Sequence, residues 1–407
     1  MSADGKRTLL MLGGSASQVV AIDRARELGY RTVLCDYLPD NPGQYHADTF
    51  YQVSTTDKDA VMQLARDEHV DGVVAYGSDP AAPTAAYVAE QLGLPGVPYE
   101  TAKSFCEKHL FRDFLARNGF CVPGHWSVRV EDIDEAPQCV VDAHYPLIVK
   151  PTDSSGSKGV TVVTRPEELI PALHAAEDFS RNGVLEIEQF IVACHPGVIE
   201  GELFVYDGHV VSWGLMNCLR DEQINPLLPA GYRHPLNLAQ QKIEQVKTEI
   251  QQLVNAGGIR AGAMNIEMML TEDGKLYFLD VGPRNGGNML PAFFSRISGD
   301  DLVEGTLRVA MGEPWEHSQF DGANDGAWYM HVLHVRERGR FSRVAYSEDV
   351  KRALVFEKQY VQTGDEVYPF LTSDKLLGIL MMHFDDSDTL DRVLSDIDRH
   401  IKVVLEA

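Results

Sequence analysis

The chain has 407 residues, 44% hydrophobic and 24% charged, enough to bury a sizeable core in two or three domains. Its 36 Lys and Arg against 60 Asp and Glu leave a net charge of −24, which opposes broad contact with a phosphate backbone or an anionic membrane, so neither nucleic acid nor membrane is expected as a partner. Six scattered cysteines form no CxxC pair or zinc spacing, and no apolar run reaches the roughly 20 residues of a membrane span, so a soluble, cytoplasmic chain is expected.

The first hundred residues alternate the apolar runs RTLLMLG, TVLCD and DGVVAY with helical patterns over 17–28, 58–68 and 81–92. That alternation predicts a doubly wound parallel sheet. The turn LGGSASQ, 12–18, follows the first strand and opens a helix, and Asp36 ends the second strand. It lacks the spaced GxGxxG of a dinucleotide site, so a tight packing turn or a loop facing another substrate is expected, with Gly14 and Ser15 as candidate contacts.

An amphipathic helix is expected over 101–118, ended by Gly119, and FCVPG then marks a domain boundary. From about 145 the texture changes to β segments: PLIVK, GVTVV, VLEIEQFI, GELFVYDGHVVSWGLM, AMNIEMML and KLYFLDV, with helices over 238–256 and 300–311. The last eighty residues, with WYMHVLHV, YVQTGDEVYPF and LLGILMMHF, read as a small β-rich piece capped by a helix from about 389. The expected organisation is an α/β domain over 1–98, an α+β domain over 99–312 with a lid at about 124–188, and a C-terminal part over 313–407.

Three segments carry chemistry. In YPLIVKPTDSSGSKGVTVV a strand ends at Lys150 and a Gly/Ser loop containing Lys158 leads to another strand. Such a loop lets backbone N–H groups approach phosphate oxygens, and because a strand follows it a glycine-rich hairpin is expected rather than a P-loop. VLEIEQFI places Glu186 and Glu188 on one strand face and reads as a hinge. In the third, AMNIEMML and KLYFLDV flank Asp273 and Gly274, a signal for a two-residue turn that pairs Glu272 with Lys275 and sets Glu267 opposite Asp280. Like charges so placed are destabilising unless a hard cation lies between them, and Mg²⁺ is the obvious one. His195, His331 and His383 are expected to be structural.

In this order the motifs EKHLFRDFLARNGFCVPG, PLIVKP before a glycine-rich loop, EIEQFI and DVGPRNGG resemble the ATP-grasp superfamily of carboxylate-amine ligases. The branch with glycine at 282 resembles the amino-acid ligases and the purine-pathway carboxylase and formyltransferase relatives. The resemblance implies an ADP-forming ligase that activates a carboxylate as an acyl phosphate and joins it to an amine. A purine-type carboxylase or formyltransferase, and a non-catalytic nucleotide-binding regulator, are the alternatives.

It further implies ATP contacts from Lys108 and Lys150, and a phosphate-covering loop of Ser154, Ser155, Gly156, Ser157, Lys158 and Gly159. Glu188, Gln189, Phe190 and Ile191 would line the adenine pocket, Glu267 and Asp280 would hold Mg²⁺ or Mn²⁺, and Arg284 would steady the substrate carboxylate. The family's E-x-N-x-R becomes D-V-G-P-R, so Gly282 offers no third metal ligand and Asn285, Asn288 or water would take its place. Arg220, Tyr232, Arg233, Asn285 and Gly287 are candidate substrate contacts. The implied partners are small carboxylates and amines, and a second copy of the chain, since relatives are often dimers.

Overall fold

A computed structural model describes residues 5–406 except 155, 196 and 324. Four strands at the N-terminus form a parallel sheet in the order Thr49–Gln52, Arg31–Asp36, Thr8–Leu12, Gly72–Val74. Their connecting helices, Val19–Glu27, Lys58–Asp67 and Ala82–Leu92, lie within the expected spans. The first of these strands, TFYQ, carries a weaker apolar signal than its neighbours.

The helix expected over 101–118 is two helices, Tyr99–Cys106 and Lys108–Arg117, broken where Glu107 adopts an extended backbone. The break lets the Lys108 N–H donate to the Thr152 carbonyl at 2.9 Å, which ties the second helix to the base of the glycine-rich loop. Strands His125–Arg129, Val184–Gln189, Leu147–Pro151 and Thr161–Val163 form a small antiparallel sheet, and the last two flank the glycine-rich loop as a hairpin.

The centre is an eight-stranded sheet in the order Leu276–Gly282, Gly262–Leu270, Val198–Tyr206, His209–Asp221, Asn225–His234, Ala327–Leu333, Gly378–Phe384, Leu354–Gln359. Three C-terminal strands extend the central sheet, because Ala327–Leu333 pairs with Asn225–His234, while Glu366–Val367, Gly339–Tyr346 and Ile401–Leu405 form a small sheet of their own. The chain ends in a strand, Ile401–Leu405, where the sequence suggested a helix; the helices near it, Ser387–Leu394 and Ile397–His400, are short. The helix Leu290–Ser298 also escaped the sequence reading. Pro291 sits within its first turn, where its missing N–H costs nothing.

Strand periodicity divides the sheet into two faces. Ile199, Leu203, Ile266, Met268, Phe278 and Val281 pack on one face against Val246, Ile250 and Leu253 of the helix Gln240–Ala256 and against Phe105, Phe111 and Phe114. The other face holds Glu200, Glu202, Asn265 and Glu267 near its middle, and beyond them Phe204 packs with Phe293 and Phe294. No helix among the described residues is long and apolar enough to cross a membrane.

Gly214 lets helix Leu290–Ser298 seat on the sheet: a Cβ there would lie 2.3 Å from the Glu202 carbonyl oxygen and 2.9 Å from the Phe294 ring. Gly214→Ala should therefore lower stability by about 1–3 kcal/mol, seen as a lower urea midpoint at unchanged slope.

Candidate functional site

Glu267 stands opposite Asp280, but by a different route from the one the sequence suggested. Leu270, Met269 and Met268 pair with Leu276, Tyr277 and Phe278, and Thr271 bonds Lys275. The loop is thus Glu272, Asp273 and Gly274, with Gly274 at φ +82, and Glu272 does not pair with Lys275. A β-bulge between the Met268 and Glu267 pairings then adds Leu279 to one strand and restores the facing acids. In an unbulged strand Phe278 and Asp280 would share a face. Here Phe278 and Val281 enter the core while Leu279 and Asp280 line a cavity of about 1800 Å³.

Arg112 secures the bulge. Its side chain is wholly buried, and it donates to the Phe278 and Leu279 carbonyls at 3.0 and 2.9 Å and to both oxygens of Glu188 at 2.8 and 3.2 Å. Lys150 Nζ reaches the same carboxylate at 2.7 Å. Burial alone would push the Glu188 carboxyl up, but Arg112 and Lys150 outweigh it and hold it at about 2. Lys150 shares its counter-ion with Arg112, and burial brings it down to about 8 despite Glu188. Glu188 is thus occupied as a counter-ion.

Lys108 Nζ lies 3.0 Å from the Ser154 carbonyl and 3.5 Å from Asp280 Oδ2. Burial opposes its charge, yet Asp280 and Asp79 raise its pKa above the ordinary value. Ser154, Gly156, Ser157, Gln189, Phe190 and Ile191 line the same cavity; Lys158 is exposed and, with Gly159, stands outside it, and Ser155 lies outside the described residues. Ser157 Oγ donates to the Leu227 carbonyl, so the glycine-rich loop rests on the start of strand Asn225–His234.

Arg284 forms a two-pronged pair with Asp79, at 2.7 and 2.5 Å, and donates to Asn265 Oδ1 and the Asn285 carbonyl through Nη1. Burial would raise the Asp79 carboxyl, and Arg284 brings it below the usual range. A Cβ at Gly282 would lie 2.6 Å from Asp79 Oδ1 and 2.7 Å from Arg284 Cζ. The glycine is therefore what lets this pair close.

The substrate candidates divide. Arg220, Tyr232 and Gly287 line the cavity; Arg233 points to the opposite side and pairs with Asp391 at 3.0 Å, as alternation from Tyr232 requires. Asn285 is buried against Thr306, outside the cavity, whereas Asn288 lines it. Gly14 and Ser15 also stand outside: Gly14 N–H donates to Asp36, Ser15 N–H to Gln18 Oε1, and Gln18 Nε2 to the Leu12 and Tyr76 carbonyls. That loop is closed on itself, and Asp36 holds backbone.

Sequence reasoning missed Glu200 and Glu202. They are buried on strand Val198–Tyr206, opposite Glu267 and Asn265. Burial pushes both carboxyls up, Glu202 to about 8, and Glu267 lifts Glu200 further. Two acids at i and i+2 within VIEGELFV were the available signal.

Residues 107–318 match the family model described as the carbamoyl-phosphate synthase L chain, ATP binding domain, and residues 22–96 match the ATP-grasp N-terminal domain. The carbamoyl phosphate synthase large chain of Thermotoga neapolitana is 24% identical over 293 residues, which is 70% of this chain and 26% of that protein. The chain thus spans about a quarter of the length of the curated relatives it matches. Among solved structures, an L-amino acid ligase from Bacillus licheniformis aligns at TM-score 0.78 with 21% identity over 99% of both chains. A phosphoribosylglycinamide synthetase from Anaerococcus prevotii aligns at 0.74 with 21% identity, over 98% of this chain and all of the other.

Removing Arg112 leaves Glu188 to Lys150 alone and strips the Phe278 and Leu279 carbonyls of a buried donor. Arg112→Met should cost about 3–5 kcal/mol in equilibrium unfolding, whereas a loss within about 0.5 kcal/mol, the range of a surface substitution, would mean that the bulge needs no anchor.

Proposed function

The chain belongs to the carbamoyl-phosphate synthase L chain ATP-binding domain family, within the ATP-grasp superfamily, and from that membership we propose that it joins a carboxylate to an amine, driven by ATP and releasing ADP and phosphate. One observation carries the reading: Lys108, Lys150, and the facing pair Glu267 and Asp280 line a single cavity. Two cations suit a polyphosphate, and two carboxylates suit the cation that accompanies it.

Lys108 and Lys150 would hold the phosphates, with Ser154, Gly156 and Ser157 covering them. At the hinge, the Gln189 and Phe190 N–H groups already donate to the Gly124 and Pro146 carbonyls, so the Ile191 N–H is the next donor available to an adenine edge. Glu267 and Asp280 fit Mg²⁺, which takes its other ligands from water and phosphate oxygens; among the described residues no third acid, histidine or cysteine joins them. When bound, Mg²⁺ would neutralise charge on the phosphoryl group being transferred. Arg284 has one Nη2 proton beyond those given to Asp79, Asn265 and Asn285, and with its plane fixed it would present that proton to the substrate carboxylate and then to the acyl phosphate.

The test is a panel of amino acids, small carboxylates and bicarbonate with Mg·ATP, following ADP release and product mass. Carboxylate-dependent ADP and an amide product are expected, and both should vanish in Glu267→Gln and Asp280→Asn. Full activity in both variants would overturn the metal assignment, and ADP release with bicarbonate alone would move the reading to a carboxylase.

Lys150 sets the pH dependence. It titrates near 8 without nucleotide and attracts phosphate only when protonated, so ATP binding should take up a proton above that pH. Affinity should hold below pH 8 and then fall toward tenfold per unit above it, and Lys150→Met should weaken binding roughly 10- to 100-fold and flatten the profile. Calorimetry in buffers of different ionisation enthalpy reads the proton uptake.

A further inference from the structure

Once nucleotide and metal have been assigned their residues, one acid on the cavity floor has no task. Glu200 is 2% exposed and lines the cavity. Its Oε1 accepts from Asn265 Nδ2 at 2.7 Å, while Oε2 is buried with no hydrogen-bond partner among the described residues. Arg220 offsets only part of what burial and Glu267 do to Glu200: its Nη2 faces Glu267 Oε2 at 3.5 Å and its Nη1 donates to the Pro226 carbonyl at 3.4 Å.

A buried carboxylate oxygen without a donor is costly, and the cost is relieved by a ligand that brings N–H groups and positive charge. Val198, Met269 and Leu290 line the same part of the cavity and offer an apolar wall, with Tyr232 and Asn288 hydrogen-bonded at 3.3 Å beside them. Here two acids that line the cavity, Glu200 and Glu267, face one guanidinium, Arg220, which disfavours a second phosphate-bearing substrate.

Resting on the ligase reading above, we infer that Glu200 receives the ammonium group of the amine substrate, which is therefore a free amino acid and not a phosphoribosylamine. An ammonium carries three donors and a compact charge, as the lone Oε2 requires.

Binding measured without turnover tests this. The melting temperature of the full chain is followed with each common amino acid and its N-acetyl counterpart, in the presence of Mg²⁺ and a non-hydrolysable ATP analogue. At least one free amino acid should raise the melting temperature, and its N-acetyl form should not. Glu200→Gln should weaken that amino acid roughly thirtyfold or more, while the shift produced by the nucleotide analogue remains. Glu200→Asp keeps the charge and should recover part of the amino-acid shift, which covers the case of a poorly folded glutamine variant. No shift with any free amino acid, an equal shift with the N-acetyl form, or a full shift in Glu200→Gln would each overturn the inference. If instead the amino acid binds as expected but no carboxylate elicits ADP release, the ligase reading fails and the assignment of Glu200 stands.

Discussion

The candidate site depends on one buried guanidinium. A guanidinium carries five N–H donors and no acceptor, so an interior that admits Arg112 must supply acceptors. Glu188 supplies two, and the Phe278 and Leu279 carbonyls supply two more. Those carbonyls sit where the bulge breaks the ladder of strand Leu276–Gly282. Bulge and arginine need one another: the first frees the carbonyls, and the second satisfies them. Their joint consequence is the turn of Asp280 out of the core and toward Glu267, with helix Lys108–Arg117 and strand Val184–Gln189 drawn into the same contact.

The charges that result are unevenly shared, and the unevenness has a direction. At the base of the glycine-rich loop two cations divide one carboxylate, which leaves positive charge uncompensated beside Lys150. On the sheet floor Glu200 and Glu202 are buried and Glu267 is half-buried; Arg220 acts on Glu200 and Glu267 and Arg284 on Glu202, yet burial pushes all three carboxyls upward. A chain with a net charge of −24 thus concentrates its unmet cationic demand and its unmet anionic demand in separate parts of one cavity. A polyphosphate at one end and cations at the other relieve both.

Much of the fold was legible because it rests on local periodicity: the parallel N-terminal sheet, the glycine-rich hairpin and the strands of the central sheet follow from runs of apolar residues and their turns. What escaped was set by long-range contacts. Facing of Glu267 and Asp280 was anticipated through a two-residue turn in a regular ladder, and it arises from a three-residue loop and a bulge whose offsets cancel. The bulge is invisible locally because its cause, Arg112, lies far away in sequence. The break at Glu107 is likewise fixed by the Thr152 carbonyl. Arg233 was placed with Tyr232 by proximity in the chain, although a strand sends neighbours to opposite faces.

Gly282 shows how a departure from a family pattern can carry information. Read alone, glycine in place of asparagine removes a metal ligand and weakens the case for the site. In three dimensions that position lies beneath the paired Asp79 and Arg284, where a Cβ would overlap both. The missing side chain is exchanged for an arginine held in a fixed plane by a carboxylate from the N-terminal sheet's own loop. A planar donor with one proton left free is more closely oriented than an arginine ranging over several rotamers, and orientation is what the proposed ligation, in which the protein forms no covalent bond, would require. On the proposed reading the substitution would move the demand for precision from the metal's third ligand to the arginine, and Asp79 would join the N-terminal domain to the site.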